Sequence, residues 1–208
     1  MKGTGTEEHK SEAVAFVIED DAAIGEALRD LLDSAGISAR LYTSAEEFTD
    51  EWDPNLPGCL VVDVRLPGMS GMELQTHLAE SGFETPIILM TAHGDIPMER
   101  KALKGGAVEF LTKPFQDEEM LQAVQHAFVL DREKRSTRQL KESLHARIDS
   151  LSARERQVVE MVTTGLTNRE IAEKLYLSVV TVKLYRRLAI EKMGAESLAD
   201  LVKMWEKR

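Results

Sequence analysis

At 208 residues, with 43% apolar and 30% charged side chains, the chain suits one large or two small domains of an ordinary water-soluble globular protein. Its longest apolar runs, such as Ala13 to Ile18, fall far short of the roughly 18 residues that span a membrane. A single cysteine, Cys59, excludes an internal disulfide.

The net charge of −10 conceals an asymmetry: residues 1–130 hold 9 Lys and Arg against 24 Asp and Glu, whereas residues 131–208 hold 17 against 12. An acidic half is joined to a basic one, which points to nucleic acid as a partner of the second half alone. The polar opening, residues 1–12, has no apolar signal-peptide core and reads as a disordered leader, so the expected compartment is the cytoplasm, with no membrane partner.

Ala13 to Ile18 reads as a buried strand that ends in three consecutive acids, Glu19, Asp20 and Asp21. A helix from about Ala22 to Ala35 carries Ile24, Leu28, Leu31 and Leu32 on one face and stops at Gly36. Ile37 to Tyr42 is a second strand, and Ser44 caps a short helix. The third strand, Cys59 to Val62, is apolar throughout, as in a parallel sheet covered on both sides, and delivers Asp63 just before Pro67, Gly68 and Gly71 break the chain. A lone aspartate there could simply cap the turn; the rest of the chain decides. Gly71 to Glu80 is a third helix, Pro86 to Met90 a fourth strand ending at Thr91, Ile96 to Leu103 a fourth helix, and Val108 to Leu111 a fifth strand followed by Lys113-Pro114. A last helix starts near Asp117.

Five alternations of strand and helix predict a doubly wound parallel sheet of order 2-1-3-4-5, with ligands at the carboxyl ends of the strands. Every strand end but that of strand two deposits a polar group there. Clustered carboxylates repel unless a hard cation sits among them, and Mg²⁺ (or Mn²⁺) suits this set of oxygens. A lysine and a hydroxyl beside such a carboxylate describe a pocket for a phosphoryl group.

Residues 13–130 resemble the receiver domain of two-component response regulators over their whole length, with the motifs in order. The resemblance implies that Asp63 is the phosphoacceptor and that Glu19, Asp20, Asp63 and the main-chain carbonyl of Arg65 hold the metal. Asp21 is then a neighbouring acid and not a ligand. Thr91 matches the switch hydroxyl, Phe110 the switch aromatic, and Lys113 the lysine that pairs with phosphoryl oxygens, with a cis bond expected before Pro114. Glu19 departs from the more usual aspartate.

No Pro or Gly interrupts residues 115–164, so the last receiver helix is expected to continue through a helical linker, residues 131–150. Leu140, Leu144, Ile148 and Leu151 keep helical spacing, which fits either a monomeric spacer or half of a coiled coil. From Ser152 onward, Ser152-Ala-Arg-Glu155 and Thr167-Asn-Arg-Glu170 are capping boxes, Ser178 caps a third helix, and Glu196 to Trp205 is a fourth. A helix-turn-helix in a basic module reads as DNA binding, against the plainer alternative of a helical bundle that docks protein.

Leu151-Ser152-Ala153-Arg154-Glu155, Gly165 to Ala172, Thr181-Val182-Lys183 and Lys192-Met193-Gly194 closely resemble the LuxR-type helix-turn-helix over residues 151–208, with Tyr185 where that family usually has histidine. Receiver plus this domain is similar to the NarL/FixJ class of transcription regulators, and Gly94-Asp95-Ile96-Pro97-Met98 leans to the FixJ side. That resemblance implies a sensor histidine kinase, double-stranded promoter DNA and RNA polymerase as partners, homodimerisation on phosphorylation, and no enzymatic activity beyond phosphoryl transfer and loss at Asp63. An aspartyl-phosphate phosphatase is the rival reading, disfavoured by the basic helical module; a phosphate-independent regulator is disfavoured by the intact acidic cluster.

A helical wheel over Ser178 to Met193 gathers Val182, Ala189 and Met193 on the buried face and Val180, Lys183, Leu184 and Arg187 on the opposite one. Lys183 and Arg187 suit guanine, with phosphate clamping alone as the plainer alternative, and Leu184 suits a thymine methyl. Thr167, Asn168 and Thr181, at helix starts, are expected to hold phosphates. Tyr185 reads as a core-edge residue.

Overall fold

The computed structural model describes residues 13–207, so the leader expected over residues 1–12 lies outside the described residues. The chain divides into two compact units, one ending at Lys134 and the other beginning at Arg135.

The first unit alternates β1 (Val14–Ile18), α1 (Ala22–Ser34), β2 (Ala39–Tyr42), α2 (Ala45–Glu51), β3 (Gly58–Asp63), α3 (Gly71–Glu80), β4 (Ile87–Thr91), α4 (Ile96–Lys104) and β5 (Glu109–Thr112), then enters α5 (Asp117–Asp149). All strand pairs are parallel and the order is β2-β1-β3-β4-β5, as the alternation predicts. All six residues of β3 are buried, and its side chains part by the period of two. Leu60 and Val62 join Phe48, Leu74, Leu78 and Ala102 of α2, α3 and α4 on one face, while Cys59 and Val61 join Leu28, Leu32, Met120 and Val124 of α1 and α5 on the other. Burial pushes the Cys59 thiol far above its ordinary range, so it behaves as a small apolar side chain.

Register carries this packing into the site. Ile18 pairs with Val62, Asp63 with Met90, and Thr91 with Thr112. The next residues along, Glu19, Asp63, Thr91 and Lys113, therefore emerge side by side at one edge of the sheet. The peptide bond before Pro114 is cis.

α5 runs for 33 residues. Asp131 accepts the Gly58 N–H at 3.0 Å and Lys134 Nζ donates to the Glu84 carbonyl at 3.0 Å, so the helix is tied to the first unit well past its apolar contacts. Leu144, Ile148 and Leu151, read from sequence as the end of a linker stripe, pack into a core of the second unit with Val159, Ala189 and Trp205.

The second unit adds α6 (Ala153–Thr163), α7 (Asn168–Leu175), α8 (Val179–Met193) and α9 (Leu198–Glu206). Ser152 and Thr167 close the expected capping boxes, and Ser178 caps α8. α9 begins two residues later than the Glu196 start expected, because Ser197 is the cap and accepts the Asp200 N–H. Tyr176 takes a left-handed conformation (φ 55°) and ends α7 before Ser178 caps α8. No described helix is long and apolar enough to cross a membrane.

Candidate functional site

Glu19 and Asp63, 4% and 7% exposed, sit at adjacent strand ends with Lys113 between them. Lys113 Nζ lies 2.5 Å from Asp63 Oδ2 and 2.6 Å from Glu19 Oε2. Asp63 Oδ1 accepts the Arg65 N–H at 2.7 Å. Both oxygens of Asp63 are therefore held, one by a cation and one by the loop that follows, which fixes the carboxylate at the mouth of the sheet.

Burial raises the Glu19 carboxyl above its ordinary range, and the Lys113 hydrogen bond only partly offsets that. Burial alone would lower Lys113; the hydrogen bonds to Asp63 and Glu19 outweigh it, so the ammonium is held above its usual value and stays charged. A protonated, part-buried lysine wedged between two carboxylates is a ready partner for an incoming anion.

Asp20 is exposed beside this pair. Asp21 is spent elsewhere: its carboxylate caps α1 by accepting the N–H groups of Ala23 and Ile24. Thr91 is fully buried, its hydroxyl accepting the His93 N–H at 3.3 Å, and Phe110, 9% exposed, already packs in the core. Gly94 lies against both: a Cβ there would stand 2.9 Å from Phe110 Cε1 and 3.2 Å from Thr91 Cγ2.

No three His, Cys, Asp or Glu side chains among the described residues are gathered closely enough to form a metal cage on their own. Mg²⁺ does not need one: it keeps several waters and takes one or two carboxylates together with substrate phosphate oxygens. Glu19, Asp20, Asp63 and the Arg65 carbonyl supply only hard oxygen donors, so the donor set fits that ion.

In the second unit Val182, Ala189 and Met193 are fully buried, whereas Lys183, Leu184 (43% exposed), Arg187 and Val180 lie outward on the opposite face of α8. Tyr185 is half-buried against the core of Val158, Ile171 and Val182. The three residues expected to hold phosphates differ in what they have left to give. The Thr167 hydroxyl donates to Glu170 at 2.7 Å and is built into the capping box. Thr181 shares a hydroxyl pair with Ser178 at 2.8 Å in which either can donate, so its own proton can still point outward. The Asn168 side-chain oxygen accepts from Arg186 Nη1 at 2.5 Å, which leaves its NH₂ as a donor. Arg186 escaped the sequence reading: the wheel sets it beside the buried face, and only the tertiary contact, 18 residues away, gives it a task.

A family model for the response regulator receiver domain matches residues 15–125, and one for bacterial regulatory proteins of the luxR family matches residues 149–205. Nodulation protein W of Bradyrhizobium diazoefficiens is 45% identical over 97% of this chain and 89% of its own length. The transcriptional regulatory protein FixJ of Azorhizobium caulinodans is 43% identical over 90% of this chain and 89% of its own. The solved structure of the response regulator StyR, 42% identical, superposes with a TM-score of 0.89 over 95% of this chain and all of that one.

Proposed function

Because the chain belongs to the response regulators that join a receiver domain to a LuxR-type DNA-binding domain, we propose that this transcription regulator is switched by a phosphoryl group that a sensor histidine kinase places on Asp63. The observation that carries the reading is the Glu19–Lys113–Asp63 bridge at the strand ends.

An Asp63 carboxylate oxygen attacks the phosphorus of the phosphohistidine; the O–P bond forms as the N–P bond breaks, and the electron pair leaves with the imidazole. Lys113 moves from its carboxylate partners to the phosphoryl oxygens, and the Arg65 N–H keeps the carboxylate aimed. Glu19, Asp20, Asp63 and the Arg65 carbonyl would hold Mg²⁺ (or Mn²⁺), which supplies positive charge against the oxygens of the transferring group. Attack of water on the same phosphorus returns free Asp63 and inorganic phosphate, so the only reactions of the chain are gain and loss of its own phosphoryl group.

The Thr91 hydroxyl turns toward the new phosphoryl oxygens, Phe110 shifts in the niche beside Gly94, and the surface of α4 and β5 is remodelled so that two receivers pair. Two DNA-binding units are then held on adjacent half-sites of promoter DNA, within reach of RNA polymerase, in the cytoplasm. Lys183, Leu184 and Arg187 face base edges; Thr181 and the Asn168 amide hold phosphates, with Thr167 stabilising the helix start beside them.

Intact mass after incubation with Mg²⁺ and acetyl phosphate tests the acceptor. The wild-type chain gains one phosphoryl group and Asp63→Asn gains none; full gain by that variant would remove Asp63 from its role.

A further inference from the structure

The loop between β3 and α3, residues 64–70, carries the Arg65 carbonyl and sets the direction in which Asp63 leaves its strand. Its ends are tied locally. The Arg65 N–H donates to Asp63, the Gly71 N–H to the Val64 carbonyl at 3.1 Å, and Ser70 is closed in a capping box with Glu73. The middle is different: Pro67 has no N–H to give, and Gly68 takes φ +74°, a left-handed conformation that costs glycine little.

Here a side chain arrives from 23 residues away. Glu46, in the first turn of α2, accepts the Met69 N–H on Oε1 at 2.9 Å. Gly68 lies directly beneath the same carboxylate, where a Cβ would stand 2.6 Å from Oε1 and 3.2 Å from the carboxyl carbon. Lack of a side chain at 68 is thus what lets Glu46 lie across the loop. The Met69 N–H is also the leading reason that the Glu46 carboxyl is held below its ordinary range. α2 itself is anchored by Ala45 and Phe48 in the core, so the grip comes from a fixed element.

We propose that Glu46 is a positioning residue for phosphoryl acceptance, holding the Gly68–Met69 segment so that the Arg65 carbonyl and the Asp63 carboxylate keep their mutual placement. Glu46 touches neither group; it acts through the loop. The inference rests on the reading of Asp63 as the phosphoacceptor.

Two variants of the full chain, Glu46→Ala and Glu46→Gln, separate a hydrogen-bonding role from a merely structural one. Two quantities are read: the Mg²⁺ dependence of mass gain from acetyl phosphate, and Mg²⁺ binding to the unphosphorylated protein by titration calorimetry. Glu46→Ala should raise both the half-saturating Mg²⁺ and the calorimetric dissociation constant roughly three- to tenfold, the scale of one partly exposed hydrogen bond. Glu46→Gln, whose amide oxygen still accepts from Met69, should stay within about twofold of wild type. Unchanged Mg²⁺ dependence in Glu46→Ala would overturn the proposal, as would a loss in Glu46→Gln equal to that in Glu46→Ala. Failure of the underlying reading looks different: Asp63→Asn would still gain a phosphoryl group, or wild type would gain none, while the calorimetric comparison of the two Glu46 variants would still decide whether the loop is held.

Discussion

Lys113 stands between two carboxylates, and its charge decides what the strand ends can accept. Sequence showed Glu19, Asp63, Thr91 and Lys113 as polar residues following apolar strands, because a parallel sheet brings such ends together whatever lies between them. Sequence did not show Glu46 or Arg186, whose partners lie 23 and 18 residues away across other elements; no local pattern marks such contacts. Glu155 is a further case. Capping-box spacing exposed its bond to Ser152, but not the Lys192 ammonium 2.7 Å from its carboxylate. Burial alone would raise the Glu155 carboxyl; the hydrogen bonds from Lys192 and Ser152 outweigh it and hold it below the ordinary range. A carboxyl whose folded pKa lies below its unfolded one adds stability above the unfolded value, and that increment is lost as pH falls through the folded value. Unfolding of the second unit, followed by Trp205 fluorescence in a Trp52→Phe background, should therefore soften as pH drops below about 4.5, the ordinary carboxyl value. Glu155→Gln should unfold earlier at neutral pH, by about 4–8 °C for a loss of roughly 1 kcal/mol, and should respond less to acid. An acid response equal to that of wild type would exclude the Lys192 pair as its source. On the outward face of α8, Arg187→Ala should cost roughly 1–3 kcal/mol on a preferred DNA site and relax sequence preference; equal weakening on scrambled DNA would make Arg187 a phosphate contact.

The elements were legible where periodicity is strong. β3 reads as a two-faced buried strand and is one, and the last receiver helix continues without a break because no Pro or Gly stops it before Ser152 starts a new helix. Boundaries set by caps were less so: Glu196 looked like a helix start, yet Ser197 supplies the oxygen that the first turn needs. Gly94 shows what glycine can mean within an element junction. It precedes Asp95, the cap of α4, and its missing Cβ leaves the space beside Phe110 and Thr91. A methyl group there would have to displace the Phe110 ring, so Gly94→Ala should impede the coupling of Asp63 to α4 and β5 without removing the acceptor. Beryllium trifluoride, standing in for the phosphoryl group, should dimerise wild type in light scattering and dimerise Gly94→Ala several-fold less readily, while that variant still gains mass from acetyl phosphate. Undiminished dimerisation would show that Phe110 does not use this niche.

At the scale of the molecule, charge sets an acidic stretch, residues 1–130, against a basic one, residues 131–208, and the chain divides into its two compact units between Lys134 and Arg135. A single helix serves both units: Asp131 and Lys134 bind it to Gly58 and Glu84 in the first, and in the second Arg147 donates to the Met193 carbonyl at 3.0 Å while Leu144 and Ile148 enter the core. Sequence had shown the continuity of this helix but not its anchors, since Asp131, Lys134 and Arg147 look like any other charges on an exposed helix. In the proposed function, the phosphoryl group on Asp63 is what governs how the second unit engages DNA. Selection from a random double-stranded DNA library, sequenced with and without acetyl phosphate for wild type and Asp63→Asn, tests it most directly. Wild type with the donor should enrich two copies of one half-site at a fixed spacing, at protein concentrations where the untreated chain and Asp63→Asn enrich little; equal enrichment with and without the donor, or an Asp63→Asn chain that responds as wild type does, would contradict it.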